Sequence, residues 1–360
     1  MADAAPDLRA LTGLRGLAAW LVVLYHIRSG MGDYLPAPVM ALLAKGYLAV
    51  DFFFLLSGFV LWLSYAPRFE ASGAAYFTAF CRRRIARIWP LHAVILAAAM
   101  LFVLLLTLTG RDTSGYPLDE LPLHLLLLQN WGFTDALSWN HPAWSISTEM
   151  AAYLLFPVIV MRCRWQTAAS GTLLAIIILL LGVLHLFFLY GGHATLGNAI
   201  PQTGLVRCII QFTIGTILCV LWQRSRSNML IAMLALASGI LLLAGWAVGA
   251  PETLVVPAAF AALLLGAAIT AEVPRNPLAA APLHYLGQIS YATYLVHFML
   301  FIGFKLVFVS DPADIAPELI ALFLAMTLAA SVLLYHGVEK PGQRIFNRLL
   351  ARPAQPVAAE

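Results

Sequence analysis

Two ionisable side chains stand at the ends of an otherwise uncharged stretch near the N-terminus, LRGLAAWLVVLYH. Arg15 and His26 are separated by ten uncharged residues, so on one helix they lie roughly 16 Å apart along the axis. In a segment apolar enough to enter lipid, such side chains are costly and are candidates for function. An imidazole can act as a general base near neutral pH. The alternative is that Arg15 reaches the inner headgroups while His26 sits satisfied at the outer interface.

Two carboxylates are the candidate partners of this histidine. Asp51 lies in the apolar run AVDFFFLLSGF, and Glu149 lies in WSISTEM. A carboxylate on the second ring nitrogen of His26 would fix its tautomer and stabilise the imidazolium. The alternative is that each carboxylate is an interfacial residue near a helix terminus. The candidate catalytic residues are therefore His26, Glu149 and Asp51, and the neighbouring candidates for substrate binding are Trp144, Ser145, Asn140 and Ser57.

An arginine-rich run, CRRRIARIWP, precedes the third apolar stretch. Arg84 and Arg87 stand at i and i+3 and share one helical face. Guanidinium groups bind phosphates through paired hydrogen bonds. With Arg15 on a neighbouring helix, they form a candidate site for a polyanionic nucleotide or a lipid headgroup. The alternative is a basic anchor at the cytoplasmic membrane surface.

The composition is that of a polytopic membrane protein. Of the 360 residues, 62% are hydrophobic and 11% are charged, against about 25% charged in soluble domains. We expect a single integral-membrane domain over 1–341 and a short basic, Ala/Pro-rich cytoplasmic tail over 342–360, too short for a further domain. The first residues lack a basic segment, so we expect no cleaved signal peptide. The four cysteines and the histidines show no metal-ligand spacing. The net charge of +4 does not indicate nucleic-acid binding, because in a membrane protein the side of the membrane on which the basic residues lie matters more.

Apolar runs of about 20 residues predict an all-α protein with about ten transmembrane helices. The stretch 121–131, LPLHLLLLQNW, is too short to span and is interpreted as re-entrant or interfacial. The ten predicted spans are 12–28, 46–64, 89–109, 143–161, 171–190, 205–222, 229–248, 253–271, 286–307 and 316–336.

Basic residues alternate between the predicted loops, and this predicts the orientation. With the N-terminus inside, nearly all loop arginines fall on the cytoplasmic side, and Lys45 and Arg111 fall outside. Both termini are therefore predicted to be cytoplasmic. This orientation places Arg15, Arg84 and Arg87 near the inner face, and His26, Asp51 and Glu149 near the outer face.

An ordered set of motifs resembles the membrane-bound acyltransferase-3 family, bacterial enzymes that O-acylate cell-surface and secreted sugars. Arg15-x10-His26 resembles the family's first-helix signature, and GYLAVDFFFLLSGFVL its second-helix element. The stretch from Arg84 through Arg87 to Ile-Trp-Pro resembles its entry to the third helix. WSISTE, ISYATYLVH and VEKP resemble its later motifs, so the resemblance covers residues 12 to 341.

The resemblance implies an O-acyltransferase with ten membrane helices in the bacterial cytoplasmic (inner) membrane. It implies acyl-CoA, with acetyl-CoA as the first candidate, as a donor substrate used from the cytoplasm, with no permanently bound cofactor. The acceptor would be a hydroxyl of a glycan or other glycosylated molecule. His26 would be catalytic, and Arg84 and Arg87 would bind the donor. Direct transfer and an acyl-histidine intermediate both stay open, as does the oligomeric state.

Two other functions are compatible with buried charges in a membrane protein. The first is a transporter or exporter of a sugar-linked molecule, which inverted repeats would favour. We find no such repeats between residues 1–180 and 181–360, and the charged motifs concentrate in the first 150 residues. The second is a non-enzymatic sensor or scaffold whose arginines bind anionic lipid.

Overall fold

The computed structural model describes residues 8–31 and 34–349. Over these residues the secondary structure is helical, with one isolated β-bridge between Met31 and Asp314, so the predicted all-α class is confirmed there. The helices are α1 (Arg9–Ile27), α2 (Ala37–Leu43), α3 (Ala49–Ser72), α4 (Phe77–Leu108), α5 (Leu121–Leu126), α6 (Ala143–Arg162), α7 (Ser170–Tyr190), α8 (Ile200–Ser225), α9 (Met229–Ala247), α10 (Glu252–Ile269), α11 (Ala281–Phe308), α12 (Pro317–Leu334) and α13 (Lys340–Leu349).

The chain is a multi-pass membrane protein. Within the described residues, nine helical segments are long and apolar enough to cross a membrane, and one of them, Ala37–Leu108, contains both α3 and α4. Each of the ten predicted spans overlaps one long helix; the number of crossings and the side of the termini stay predictions. The stretch 121–131 begins with the six-residue α5, confirming that it is too short to span.

Close helix pairs position the functional side chains. A Cβ on Gly287 of α11 would lie 1.8 Å from the Thr12 carbonyl oxygen of α1, so glycine allows these backbones to touch. In the same way, a Cβ on Gly215 of α8 would lie 2.0 Å from the Leu55 carbonyl oxygen of α3. Small residues at such crossings are typical of membrane helix packing.

The C-terminal part of the described chain is helical. One π-helical turn, Tyr335–Glu339, links α12 to α13. The α13 helix packs against α4, with the Phe346 and Trp89 rings 5.6 Å apart. Residues 342–349 of the predicted tail belong to α13, and 350–360 lie outside the described residues. The prediction about a signal peptide falls largely on residues 1–7, which also lie outside them.

Candidate active site

A cavity of about 180 Å³ opens between α1, α3, α4, α6 and α11. It brings together three guanidinium groups from two helices, those of Arg15, Arg84 and Arg87. The three residues predicted to bind an anion therefore line one site. The other polar residues that line it are Ser57, Ser145, Glu149, Tyr153, Ser290, Tyr291 and Tyr294.

Arg15 is held by the backbone of α11. Its Nη2 and Nε donate to the Gly287 carbonyl oxygen at 2.6 and 3.2 Å. This contact depends on the close approach of α1 and α11 at Gly287. Both bonds use one edge of the guanidinium, which leaves the Nη1 hydrogens for another acceptor.

Arg84 lies between aromatic rings and keeps an unused donor. It donates to the Tyr65 hydroxyl, and its guanidinium carbon lies 4.7 Å from the Tyr65 ring centroid and 5.7 Å from that of Tyr153. Its buried Nε has no hydrogen-bond partner among the described residues. A buried unmatched donor is costly, so this group fits an anionic ligand in the cavity.

Arg87 pairs with Glu339 of the π-helical turn. Glu339 belongs to the VEKP motif, and the chain continues through this motif from the π-helical turn into α13. Glu339 is only 2% exposed, and its Oε2 has no partner among the described residues. Single π-turns occur frequently at functional sites. Here the extra residue in the turn places the carboxylate against the arginine side of the cavity.

Glu149 lies in the same cavity as the three arginines. Its Oε1 accepts hydrogen bonds from Ser57 and from the Tyr153 hydroxyl, the latter at 2.7 Å. The expected pairing of Glu149 with His26 is absent among its described contacts. Tyr153 is one turn further along α6, so it reaches back to the carboxylate at i and i+4 spacing.

Asp51 also has a different partner from the expected one. It receives hydrogen bonds from Arg207 and Gln211 of α8, including one of 2.7 Å from Arg207 Nε, and it is fully buried. A fork of two bonds to one carboxylate is the strong geometry for such a pair. The expectation that Asp51 orients His26 is therefore wrong, because α8 occupies its carboxylate.

His26 meets a second histidine. Its Nδ1 lies 3.2 Å from Nε2 of His297 on α11 and 2.9 Å from the Val22 carbonyl oxygen. Nδ1 of His297 lies 3.2 Å from the Thr293 carbonyl oxygen. His297 lies in the ISYATYLVH motif, and its position in the middle of a predicted span is the signal that could have marked it, whereas its contact with a residue 271 positions away has no local signal.

These contacts assign the tautomers. Carbonyl oxygens only accept, so Nδ1 carries the proton in both rings, and Nε2 of each neutral ring is an acceptor. His26 Nδ1–H is then shared between Val22 and His297. The Nε2 of His26 is left unprotonated, as a general base requires.

His26 does not line the cavity, and the rings of Tyr294 and His297 lie between it and the cavity. Tyr294 lines the cavity, and its hydroxyl lies 2.8 Å from Ser145 Oγ. The Tyr294 ring is 6.0 Å from His297, whose ring is 4.9 Å from His26. Tyr294 therefore connects the cavity to the two histidines through ring contacts.

The remaining candidates lie on two sides of the start of α6. Ser57 and Ser145 line the cavity. Trp144 and Asn140 line a separate small recess formed by the segment that precedes α6. Asn140 donates to the Leu295 carbonyl oxygen at 2.9 Å, which ties this segment to α11 beside His297.

Comparison with known proteins gives the family. The profile of the acyltransferase-3 family, described as an acyltransferase domain, matches residues 8–336. The chain belongs to the acyltransferase-3 family. It is therefore a transferase.

Named relatives agree with this assignment. The acyltransferase MdmB of Streptomyces mycarofaciens is 32% identical, over 95% of this chain and 93% of its own length. YrhL of Bacillus subtilis, which carries a provisional peptidoglycan O-acetyltransferase name, is 25% identical over 94% of this chain and 56% of its own length. No solved structure matches the chain.

Proposed function

We propose that this acyltransferase moves an acyl group, with acetyl as the first candidate, from cytoplasmic acyl-CoA to a hydroxyl of a sugar or glycoconjugate. The observation that carries the donor assignment is the cavity in which Arg15, Arg84 and Arg87 face one space. Three guanidinium groups against the carboxylates of Glu149 and Glu339 leave a positive excess. That excess suits the phosphates of coenzyme A.

The shape of the site supports a donor that enters lengthwise. The three arginines line the cavity together with the hydrogen-bonded Ser145–Tyr294 pair, and the Tyr294 ring contacts His297. Phosphates bound at the arginines would direct the pantetheine arm and its thioester along the apolar walls. The acyl group, and not the whole nucleotide, would then reach His26 once the Ser145–Tyr294 pair opens.

The chemistry is base-catalysed acyl transfer. Nε2 of His26 takes the proton of the acceptor hydroxyl, and the hydroxyl oxygen attacks the thioester carbonyl carbon. The C–S bond then breaks, and the coenzyme A thiolate leaves with the proton from His26. The Ser145 and Tyr294 hydroxyls both donate to the Pro142 carbonyl oxygen in the resting site, and in this mechanism they turn to donate to the thioester carbonyl oxygen as its charge develops.

His297 takes the positioning role that a carboxylate was expected to fill. Its unprotonated Nε2 accepts from His26 Nδ1–H, which holds the ring and stabilises the imidazolium as it forms. A direct attack of the acceptor and an acyl-histidine intermediate place the same demand on His26 Nε2.

The test uses the purified full-length protein, radiolabelled acetyl-CoA and a panel of glycans. We expect label on a glycan hydroxyl with the unaltered protein and a loss of at least 100-fold with His26→Ala, since general-base catalysis contributes about 100-fold or more. His336→Ala is the matched control, because His336 is exposed and contacts Tyr285 away from the cavity.

Equal transfer rates for His26→Ala and the unaltered protein would contradict the mechanism. Absence of acetyl-CoA binding, together with absence of transfer from any acyl-CoA, would contradict the donor assignment. Binding of anionic lipid without acyl-CoA consumption would support the sensor or scaffold alternative instead.

A further inference from the structure

A second, much smaller pocket lies beside the start of α6, apart from the donor cavity. This recess encloses about 10 Å³ and is lined by His124, Gln129, Ala136, Asn140, His141 and Trp144, among others. That volume is close to the room needed for one water-sized group. The recess therefore admits a single hydroxyl-sized substituent.

Two buried amide oxygens at the recess have no partner. Gln129 and Asn140 are 5% and 3% exposed, and their oxygens Oε1 and Oδ1 lack hydrogen bonds among the described residues. Their nitrogens donate to the carbonyl oxygens of Ala143 and Leu295, at 3.1 and 2.9 Å. Since a carbonyl oxygen can only accept, the amide nitrogens must face these carbonyls, and both free groups are acceptor oxygens.

His124 adds a third acceptor. Ser138 donates its only hydroxyl hydrogen to Glu120, so it accepts from His124 Nε2, which lies 2.8 Å away. Burial, chiefly, lowers the pKa of His124 to about 4, so the ring is neutral near pH 7. The proton of this neutral ring is on Nε2, and its Nδ1 is the acceptor.

This set of groups selects the chemistry of a ligand. Among the described residues that line the recess there is no guanidinium or ammonium group, so a phosphate or carboxylate would find no counter-charge. Unmatched buried acceptors are costly, and they require a donor. A neutral hydroxyl satisfies this requirement within the available volume.

The recess also lies close to the proposed base. The His141 ring stacks on Phe298 with centroids 4.7 Å apart, and Phe298 meets His26 at 5.4 Å. One aromatic ring thus separates a wall residue of the recess from the base. A ligand with several hydroxyls could place one in the recess and present another to His26.

We infer that the recess is an acceptor subsite, in which Gln129 and Asn140 bind one hydroxyl of a polyhydroxylated acceptor while another hydroxyl of the same molecule is acylated at His26. This inference rests on the proposed function, and it makes the acceptor a sugar or comparable polyol and not a simple alcohol. The recess thereby determines which hydroxyl of the acceptor reaches His26.

The test measures acceptor binding apart from donor binding. Full-length protein is titrated with the methyl glycosides of glucose, galactose, rhamnose and N-acetylglucosamine, with 1-butanol as the monohydric comparison, and the thermal midpoint Tm is recorded. Ala136→Trp fills the mouth of the recess from an exposed position, so it leaves the buried hydrogen bonds intact. Asp135→Trp is the matched control, because Asp135 is the exposed neighbour outside the recess.

We expect at least one glycoside, and not butanol, to raise Tm saturably in the unaltered protein, in Asp135→Trp and in His26→Ala. In Ala136→Trp the half-saturating glycoside concentration should rise about tenfold or more, as for the loss of one to two hydrogen bonds. Acetyl-CoA should raise Tm equally in both tryptophan variants.

Two outcomes would overturn the subsite. One is that the glycosides raise the Tm of Ala136→Trp and Asp135→Trp with the same half-saturating concentration. The other is that no glycoside raises Tm saturably, which would leave the recess as the site of a structural water only. Failure of acetyl-CoA alone to raise Tm would instead count against the donor site of the proposed function.

Discussion

At the scale of single residues, the contacts of each guanidinium separate binding from structure. The Arg207 guanidinium donates hydrogen bonds to the Asp51 carboxylate and to the Leu196 carbonyl oxygen. Arg84 lines the cavity, donates to Tyr65, and has a buried Nε without a hydrogen-bond partner among the described residues. The first is a closed structural pair, and the second is available to a ligand.

Replacement of a cavity arginine should weaken donor binding. We expect Arg84→Ala or Arg87→Ala to raise the KM for acyl-CoA by about 10- to 100-fold, because a hydrogen bond to a charged group contributes about 1.5–3 kcal/mol. Steady-state kinetics over a range of acetyl-CoA concentrations measures this change. Arg83→Ala is the control, since Arg83 is exposed on the same helix and lies outside the cavity; an equal effect there would count against the phosphate role.

Removal of Asp51 should destabilise the protein and not act on the chemical step. Asp51→Ala leaves Arg207 buried without a counter-charge, which costs about 3–5 kcal/mol. We expect a lower Tm by thermal unfolding in detergent, with recovery of part of the loss when Arg207→Met is added. A variant with unchanged Tm and no activity would restore the catalytic role that the sequence predicted for Asp51.

The residue types of the donor site could be predicted, but their partners could not. Arg84 and Arg87 are close in sequence, so their shared helical face follows from spacing alone. The Asp51–Arg207 pair joins residues 156 positions apart, and the His26–His297 pair joins residues 271 apart. Such contacts depend on which helices pack together, and local periodicity carries no information about that.

At the scale of helices, the α1–α11 crossing holds both ends of the site. Near one end it sets the Arg15 bond to Gly287, and near the other it brings His26 to His297. The contact requires a glycine, because a Cβ at Gly287 would overlap the Thr12 carbonyl. One helix crossing thus connects the proposed donor site and the proposed base.

Widening this crossing should impair both functions together. Gly287→Ala forces α1 and α11 apart, and overpacking of this kind costs about 1–3 kcal/mol. We expect a lower Tm, a higher KM for acyl-CoA and a lower kcat in one variant. Gly303→Ala on the same helix is the control, because a Cβ there meets nothing within 4 Å among the described residues. A normal KM and kcat in Gly287→Ala would show that the crossing does not position the site.

At the scale of the whole molecule, hydrophobic run lengths were sufficient to predict the long helices. The runs do not show the helix α13 or the π-turn that brings Glu339 to Arg87, because both are short and polar. The orientation stays a prediction from the distribution of basic residues, and in that predicted orientation the arginine end of the cavity faces the cytoplasm. The recess lies at the opposite end of the site, beside His26.

This arrangement predicts that donor and acceptor are used from opposite sides of the membrane. Inverted vesicles, whose cytoplasmic face is outward, should consume acetyl-CoA added to the medium, and right-side-out vesicles should not until detergent is added, because the charged nucleotide does not cross lipid. Labelled glycan should form with the acceptor inside the inverted vesicles. Arg84→Ala supplies the background rate at low acetyl-CoA concentration. Equal consumption by intact vesicles of both orientations would mean that the arginine end of the cavity does not face only the cytoplasm, and the proposed transfer across the bilayer would then fail.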